Sequence, residues 1–337
     1  MQAAVSQLFP GDLVEVRSFD QILVSLDADG TLAKLPFMPE MLEYCGKRFR
    51  VSSRASKTCC STRTGTNMRV FRTSDVVLLD GLRCSGAAHD GCQKGCMIFW
   101  RAAWLKKVAA ESITSSIDPE SATRLRSRLK TFSAPGVYFC QASQLLKATD
   151  HMSRWQRLAT CLSDVHTGNC SALEMARRVS IWLFWRIRRV FLGQYARGVL
   201  KSTPVESLNL QPGEWVDVKP IETIVSTLNP EARNRGLYFS PDMRLACGKR
   251  QRVDRRLDRL IVDGTGVMKA VNNTVYLEGS HCSCSHVAFG GCPRGEFVYW
   301  REIWLRRRAA ANQAEETEDK LDPWNSPPES ASKALDS

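Results

Sequence analysis

Cys84-Ser-Gly-Ala-Ala-His89-Asp-Gly-Cys92-Gln-Lys-Gly-Cys96 runs directly into Met97-Ile-Phe-Trp100-Arg-Ala-Ala-Trp104-Leu105. This stretch has an echo near the other end of the chain. Cys282-Ser-Cys284-Ser-His286 leads through Gly290-Gly-Cys292-Pro-Arg294 into Tyr299-Trp300-Arg-Glu-Ile-Trp304-Leu305. Working outward, the match extends toward both N-terminal sides. Gly11-Asp-Leu-Val-Glu-Val16 pairs with Gly213-Glu-Trp-Val-Asp-Val218, and Phe37-Met-Pro-Glu-Met41 with Phe239-Ser-Pro-Asp-Met243. Cys45-Gly-Lys-Arg48 pairs with Cys247-Gly-Lys-Arg250, again at a constant offset of 202 residues. The offset becomes 198 at Cys84/Cys282 and 200 at Cys92/Cys292, Trp100/Trp300 and Trp104/Trp304. Offset changes confined to stretches rich in Gly, Ser, Thr and Asn are what loop insertions between fixed strands produce. The chain is an internal duplication.

Each copy reads as a small β-rich unit. Leu13–Val16 and Trp215–Val218 alternate as strands do, and Phe49–Val51, Met68–Phe71 and Val76–Leu79 supply more. Short helices follow Ser18 and Pro220, and Pro39 and Pro241 open a helical turn at its first position. The expected fold is α+β, with two small antiparallel barrels of the SH3-like kind joined by a helical middle. The expected boundaries are an extension at 1–9, copy 1 at 10–105, a helical connector at 106–211, copy 2 at 212–308 and a disordered tail at 309–337. In the connector, Pro119–Leu129 and Ser143–Thr149 read as helices, and Asp164–Ser171 as a turn. Ser171 and Glu174 read as a capping box for a further helix. Trp100/Trp104 and Trp300/Trp304 have helical spacing and read as core positions.

The chain has 337 residues, 43% hydrophobic, and a net charge of +12. That is enough apolar material for a real core, and the charge favours an anionic partner, whether small ligand, protein or nucleic acid. The N-terminal residues lack the pattern of a signal peptide, and no apolar run is long enough to span a bilayer. Thirteen cysteines without an export signal point to thiols or metal ligands in a cytoplasmic, reducing setting.

Zinc is usually held by four thiolates and imidazoles. Cys84, His89, Cys92 and Cys96 lie within thirteen residues in copy 1, with Cys45 and Cys59 as substitutes. Cys247, Cys282, Cys284, His286 and Cys292 are the counterparts in copy 2, where Glu296 replaces Cys96. The expectation is one zinc staple per copy, with an iron–sulfur cluster as the alternative cofactor. Buried free thiols are the bland reading of the same residues. Lys47-Arg48 and Lys249-Arg250-Gln-Arg252 form basic patches able to meet an anion. On the helix beginning near Arg177, Leu183, Phe184, Ile187, Val190 and Phe191 share one side, and Arg178, Arg186 and Arg189 gather on the other; Trp182 and Trp185 belong to the same helix. This helix is expected either to bury its apolar side against the copies or to make peripheral contact with a membrane or partner.

The linked elements Gly-Asp-x-Val-x-Val, Pro-Glu-Met-x-x-Tyr-Cys-Gly-Lys and Tyr-Trp-Arg-Glu-x-Trp-Leu resemble a bacterial family of duplicated, Cys-containing small β-domain proteins with no established activity. The resemblance implies a bacterial cytoplasmic setting. Phosphate-loop, His-Glu-x-x-His, nucleophile-elbow and dinucleotide motifs do not occur. A stapled binding or scaffold protein is therefore expected, with a metal- or thiol-dependent redox enzyme and a membrane adaptor as alternatives.

Overall fold

The computed structural model describes residues 7–62, 65–109 and 119–308. The 309–337 segment read above as a tail lies outside the described residues.

Copy 1 builds a curled five-stranded antiparallel sheet. Its strand order is Met97–Arg101, Val76–Arg83, Arg48–Arg54, Leu13–Val16, Leu105–Lys107. Copy 2 repeats it with Phe297–Arg301, Thr274–His281, Arg250–Arg256, Trp215–Val218, Leu305–Arg307. The irregularities repeat as well. Register shifts fall at Val51/Ser53 and Leu78/Arg83 in one copy and at Val253/Arg255 and Tyr276/His281 in the other. Bulges of this kind bend a long strand and increase its twist, which curls each sheet over its own core.

Trp100, Trp104, Trp300 and Trp304 are fully buried in these cores. Their spacing is not helical. Trp100 and Trp300 lie next to last in their strands, while Trp104 and Trp304 sit in the short turns Ala102–Trp104 and Glu302–Trp304. Phe37 meets Trp104 edge-on at 5.2 Å, and Phe239 meets Trp304 at 5.4 Å. The indole N–H groups of Trp104 and Trp304 donate to Ser25 and Thr227. A buried indole N–H usually finds a partner, and each copy supplies one at this position.

The middle region is more than a helical spacer. Copy 1 has its own helix α1, Phe19–Ser25. The middle adds α2, Pro119–Arg128, then α3, Gln141–Ala148, α4, Arg154–His166, and α5, Ala172–Leu192. It also contributes the strands Phe132–Ala134, Val137–Tyr138 and Thr149–His151. Helix α4 was not expected: Asp164 to His166 close its last turn, and Ser153 with Gln156 makes its capping box. At Ser171 only half of the expected box forms. Ser171 Oγ accepts from the Glu174 N–H, while the Glu174 carboxylate turns to Arg177 and Arg178. Helix α3 seals an open sheet edge, where Gln141 accepts from Phe99 N–H at 2.8 Å and donates to Phe99 C=O at 2.8 Å and Pro36 C=O at 3.0 Å.

Two hairpins decide how the copies sit together. In copy 1, Lys57–Thr62 pairs with Gly65–Phe71, and Thr149–His151 adds a third strand. In copy 2, Arg259–Ile261 pairs with Met268–Ala270. Each hairpin crosses to the other copy. Cys59 of the first meets Cys284 of copy 2, and Arg259 and Ile261 of the second meet Gln93 and Cys92 of copy 1. Lys57 and Arg259 stand 202 residues apart, so the crossing is reciprocal, as in the two-fold interface of a dimer. Between the crossings lies a buried charge network. Asp263 accepts from Lys94 at 2.5 Å and from Arg294 at 2.9 and 3.1 Å, and both cations also reach Glu296. Arg83 ties the related loops together, donating to Gly95 C=O and Gly295 C=O while lying over the Phe297 ring.

Candidate metal centre

The first crossing gathers four thiols. Cys59 enters from the copy-1 hairpin, and Cys282, Cys284 and Cys292 come from the loops of copy 2. Cys59, Cys284 and Cys292 have sulfurs within 4.8 Å of one another, with Cys284 to Cys59 at 3.8 Å. Cys282 lies 3.1 Å from Cys284. A tetrahedral ion with metal–sulfur bonds of about 2.3 Å sets its sulfurs about 3.8 Å apart, so Cys59, Cys284 and Cys292 have the dimensions of three ligands to one ion, and Cys282 stands beside them as the nearest fourth thiol. Cys59, Cys284 and Cys292 are buried and packed with Ala288. The Cys284 N–H donates to Cys282 Sγ at 3.2 Å, the type of outer bond that orients a thiolate ligand. Hydrogen bonds from Cys284 and Cys59 hold the Cys292 thiol well below the usual range, so it is the group's resident thiolate. At Cys59 the bond with Cys284 pulls the thiol down, but the bond with Cys292 and burial outweigh it and push it up to about 12.

Cys284 sits at φ +54°, a left-handed conformation uncommon for a side chain other than Gly, Asn or Asp. The equivalent position in copy 1 is Gly86, at φ +71°. A Cβ at Gly86 would lie 1.9 Å from Cys92 C=O, so copy 1 has no room for a thiol there. At the second crossing Ile261 takes the place of Cys59, and its N–H points to Cys92 Sγ at 3.4 Å. At one crossing a thiol of the opposite copy joins the cysteines, while at the other Ile261 fills that place beside Cys84, Cys92, Cys96 and Cys140.

A second group, Glu40, Cys84 and His89, lies within copy 1. His89 is committed to hydrogen bonds through both ring nitrogens, Nδ1 to Glu40 at 2.6 Å and Nε2 to Phe139 C=O at 3.1 Å. With both nitrogens donating to oxygen acceptors, neither offers a lone pair to an ion, and the group is a buried ion pair beside a thiol that burial pushes upward. Copy 2 holds the counterpart: His286 lies 3.3 Å and Cys282 Sγ 3.5 Å from Asp242. Burial opposes the charges on Glu40 and His89, but their mutual bond and attraction outweigh it, lowering Glu40 below 4.5 and raising His89 above 6.5. His89 therefore stabilises the fold fully below pH 6.5, and this is lost as pH rises through its raised value. The Glu40 contribution is present above pH 4.5 and is lost as pH falls through its lowered value. The pair is expected to support stability most strongly from about pH 4.5 to 6.5. His89→Gln should flatten the alkaline side of a plot of Tm against pH, and an unchanged profile would remove this role.

The structure rearranges the expected sites. The copy-1 set Cys84, His89, Cys92 and Cys96 lines one small cavity together with Cys140, but Cys92 and Cys96 do not close with Cys84 and His89 to single-ion distances. Cys92 meets Ile261, and Cys96 lies 4.0 Å from Arg294, where burial pushes its thiol up to about 12. Cys45 and Cys247 stay in their own cores, the latter against Met243 C=O. Cys59 leaves copy 1 for the copy-2 cluster, and His286 pairs with Asp242 instead of joining the thiols. The basic patches are largely spoken for: Arg48 pairs with Glu15, Arg250 stacks on Trp215, and Arg252 bonds Gly213 C=O and Glu278. Lys47 and Lys249 remain exposed. Sequence reasoning missed Glu40 and Asp242, although both lie in the matched Pro-Glu-Met and Pro-Asp-Met motifs at the same offset.

No family model, curated protein or solved structure matches the chain.

Proposed function

We propose that this protein is a binding scaffold in which two SH3-like half-barrels are locked into one body by a zinc ion at Cys59, Cys282, Cys284 and Cys292. The observation that carries the reading is the approach of Cys59 to Cys284 across the copies, at 3.8 Å. A structural zinc site is closed and built from thiol ligands, and the three convergent thiols Cys59, Cys284 and Cys292 with Cys282 beside them support this reading. Sulfurs this close favour one ion over an iron–sulfur cluster, which needs room for several irons and inorganic sulfides. A redox role finds less support. Burial pushes Cys45 and Cys96 up to about 12 and Cys247 to about 11, so these thiols stay protonated and weakly nucleophilic at neutral pH, and the one thiol held low, Cys292, is buried among the other cysteines of the cluster. The basic net charge makes an anionic partner the natural cargo.

Elemental analysis and an absorption spectrum on protein purified without oxygen test the proposal. About one zinc per chain and no colour are expected. Iron with visible absorption, or no metal at all, would overturn it.

A further inference from the structure

Helix α5 is apolar on two sides. Its inner side is occupied: Met175 is buried, Trp182 meets Phe289 edge-on at 5.1 Å, and Trp185 meets Tyr195 at 4.9 Å. Its outer side carries Leu183, Phe184, Ile187, Val190 and Phe191, all exposed, with Val190 at 74% and Phe191 at 79%. The expectation that this face is buried against the copies is therefore not met. At about 100° per residue these five side chains span an arc of about 120°, bordered by Arg177 and Arg188 on one edge and Arg186 on the other. Helix α4 carries a second exposed stripe, Trp155, Leu158 and Leu162, accompanied by exposed Arg154 and Arg157. The acids of both helices are already engaged: Asp164 is buried against Lys57 at 2.9 Å, and Glu174 binds Arg177 and Arg178. Among the described residues no helix is long and apolar enough to cross a membrane.

We propose that the outer face of α5, together with the exposed stripe of α4, docks on an anionic lipid surface. The argument is charge complementarity. An apolar arc with arginines on both borders and no free acid is what lies flat at a lipid interface, with side chains in the acyl boundary and guanidinium groups among the phosphates. A second copy of the chain is a poorer occupant, because a two-fold contact sets each patch against itself and would bring arginine against arginine. The helices are fastened to the crossing by Lys57 and Phe289, so docking would hold both half-barrels at the lipid surface.

The test is co-sedimentation of the full chain with vesicles of phosphatidylcholine, alone or mixed with phosphatidylglycerol. Binding to the mixed vesicles is expected at low salt, weakening from about 50 to 500 mM salt as screening grows. The double variant Val190→Asp/Phe191→Asp should reduce it at least about tenfold, and Arg177→Glu/Arg186→Glu should remove its dependence on phosphatidylglycerol. All four positions are exposed, so melting should be unchanged. Failure of the wild type to bind mixed vesicles at low salt would overturn the proposal. So would equal binding to pure phosphatidylcholine, or a concentration-dependent dimer that the Val190→Asp/Phe191→Asp variant abolishes.

Discussion

With zinc at the proposed site, Cys59→Ser is expected to abolish metal binding while Cys84→Ser preserves it. Cys59 is the one thiol of the cluster that copy 1 supplies, and it faces Cys284 and Cys292 across the crossing. Serine is a poor zinc ligand, and three thiols from copy 2 would leave an open coordination position. Losing an outer-shell partner alone typically costs about 10–100-fold in affinity, so loss of a direct ligand should cost more than about 100-fold. The two large cores are separate, each with its own tryptophans, and should persist. Ligand linkage sets the size of the effect: at free zinc near 1,000 times Kd, the stabilisation removed is about 4 kcal/mol. The expected result is a metal-free chain with a lowered Tm, matched by chelator-treated wild type. Unchanged zinc content in Cys59→Ser would remove this residue from the site.

Asp263→Asn is expected to be more damaging than its modest change in shape implies. Asp263 is buried between Lys94 and Arg294, and these two cations are themselves 6% and 1% exposed. The carboxylate shares their charge with Glu296 across the interface of the copies. An amide of the same size keeps some hydrogen bonding but removes one of two negative charges, leaving a cation buried without compensation. Breaking a buried pair from one side costs about 3–5 kcal/mol, against a total stability of about 5–15 kcal/mol for an ordinary domain. Urea unfolding should show a loss in this range. A combined replacement of Lys94, Asp263, Arg294 and Glu296 by apolar residues of similar size should do less harm than the single change, because no orphaned charge remains. A loss below about 1 kcal/mol for Asp263→Asn would mean that the network contributes little to the interface.

Much of the fold was readable because the duplication doubles every signal. Strands such as Leu13–Val16 and Trp215–Val218 are short, but their agreement at one offset fixes both. The proline-led turns at Pro39 and Pro241 were readable for the same reason. Helix α4 occurs once, and its end at Asp164–His166 runs into a Thr-Gly-Asn sequence that reads as a turn. The gathering of Cys59 with the copy-2 thiols was not legible, for a geometric reason. Ligands close in sequence, Cys84 to Cys96, look like a site when each copy is taken to close on itself. Cys59 belongs instead to a hairpin that departs from its own sheet, and nothing in Lys57-Thr-Cys-Cys60 signals that departure. Two clues were present all the same. Cys284 stands where copy 1 has a glycine, and the acid in the Pro-Glu-Met and Pro-Asp-Met motifs is kept. The arginine-bordered face of α5 was legible from periodicity, but only tertiary structure could reveal that the opposite, tryptophan-bearing side is the one that packs.

The reciprocal crossing of the hairpins also governs how the chain comes off the ribosome. Cys59 and its partner Cys284 are separated by 225 residues. At a synthesis rate of about 5–20 residues per second, the copy-1 hairpin waits on the order of 10–45 s for the surface that covers it. Through that interval it presents Cys59 and Met68, which the copy-2 loops later enclose, to the surrounding solution. A nascent chain stalled before copy 2 is thus an incomplete half with a thiol-bearing edge, prone to capture another half in place of its own.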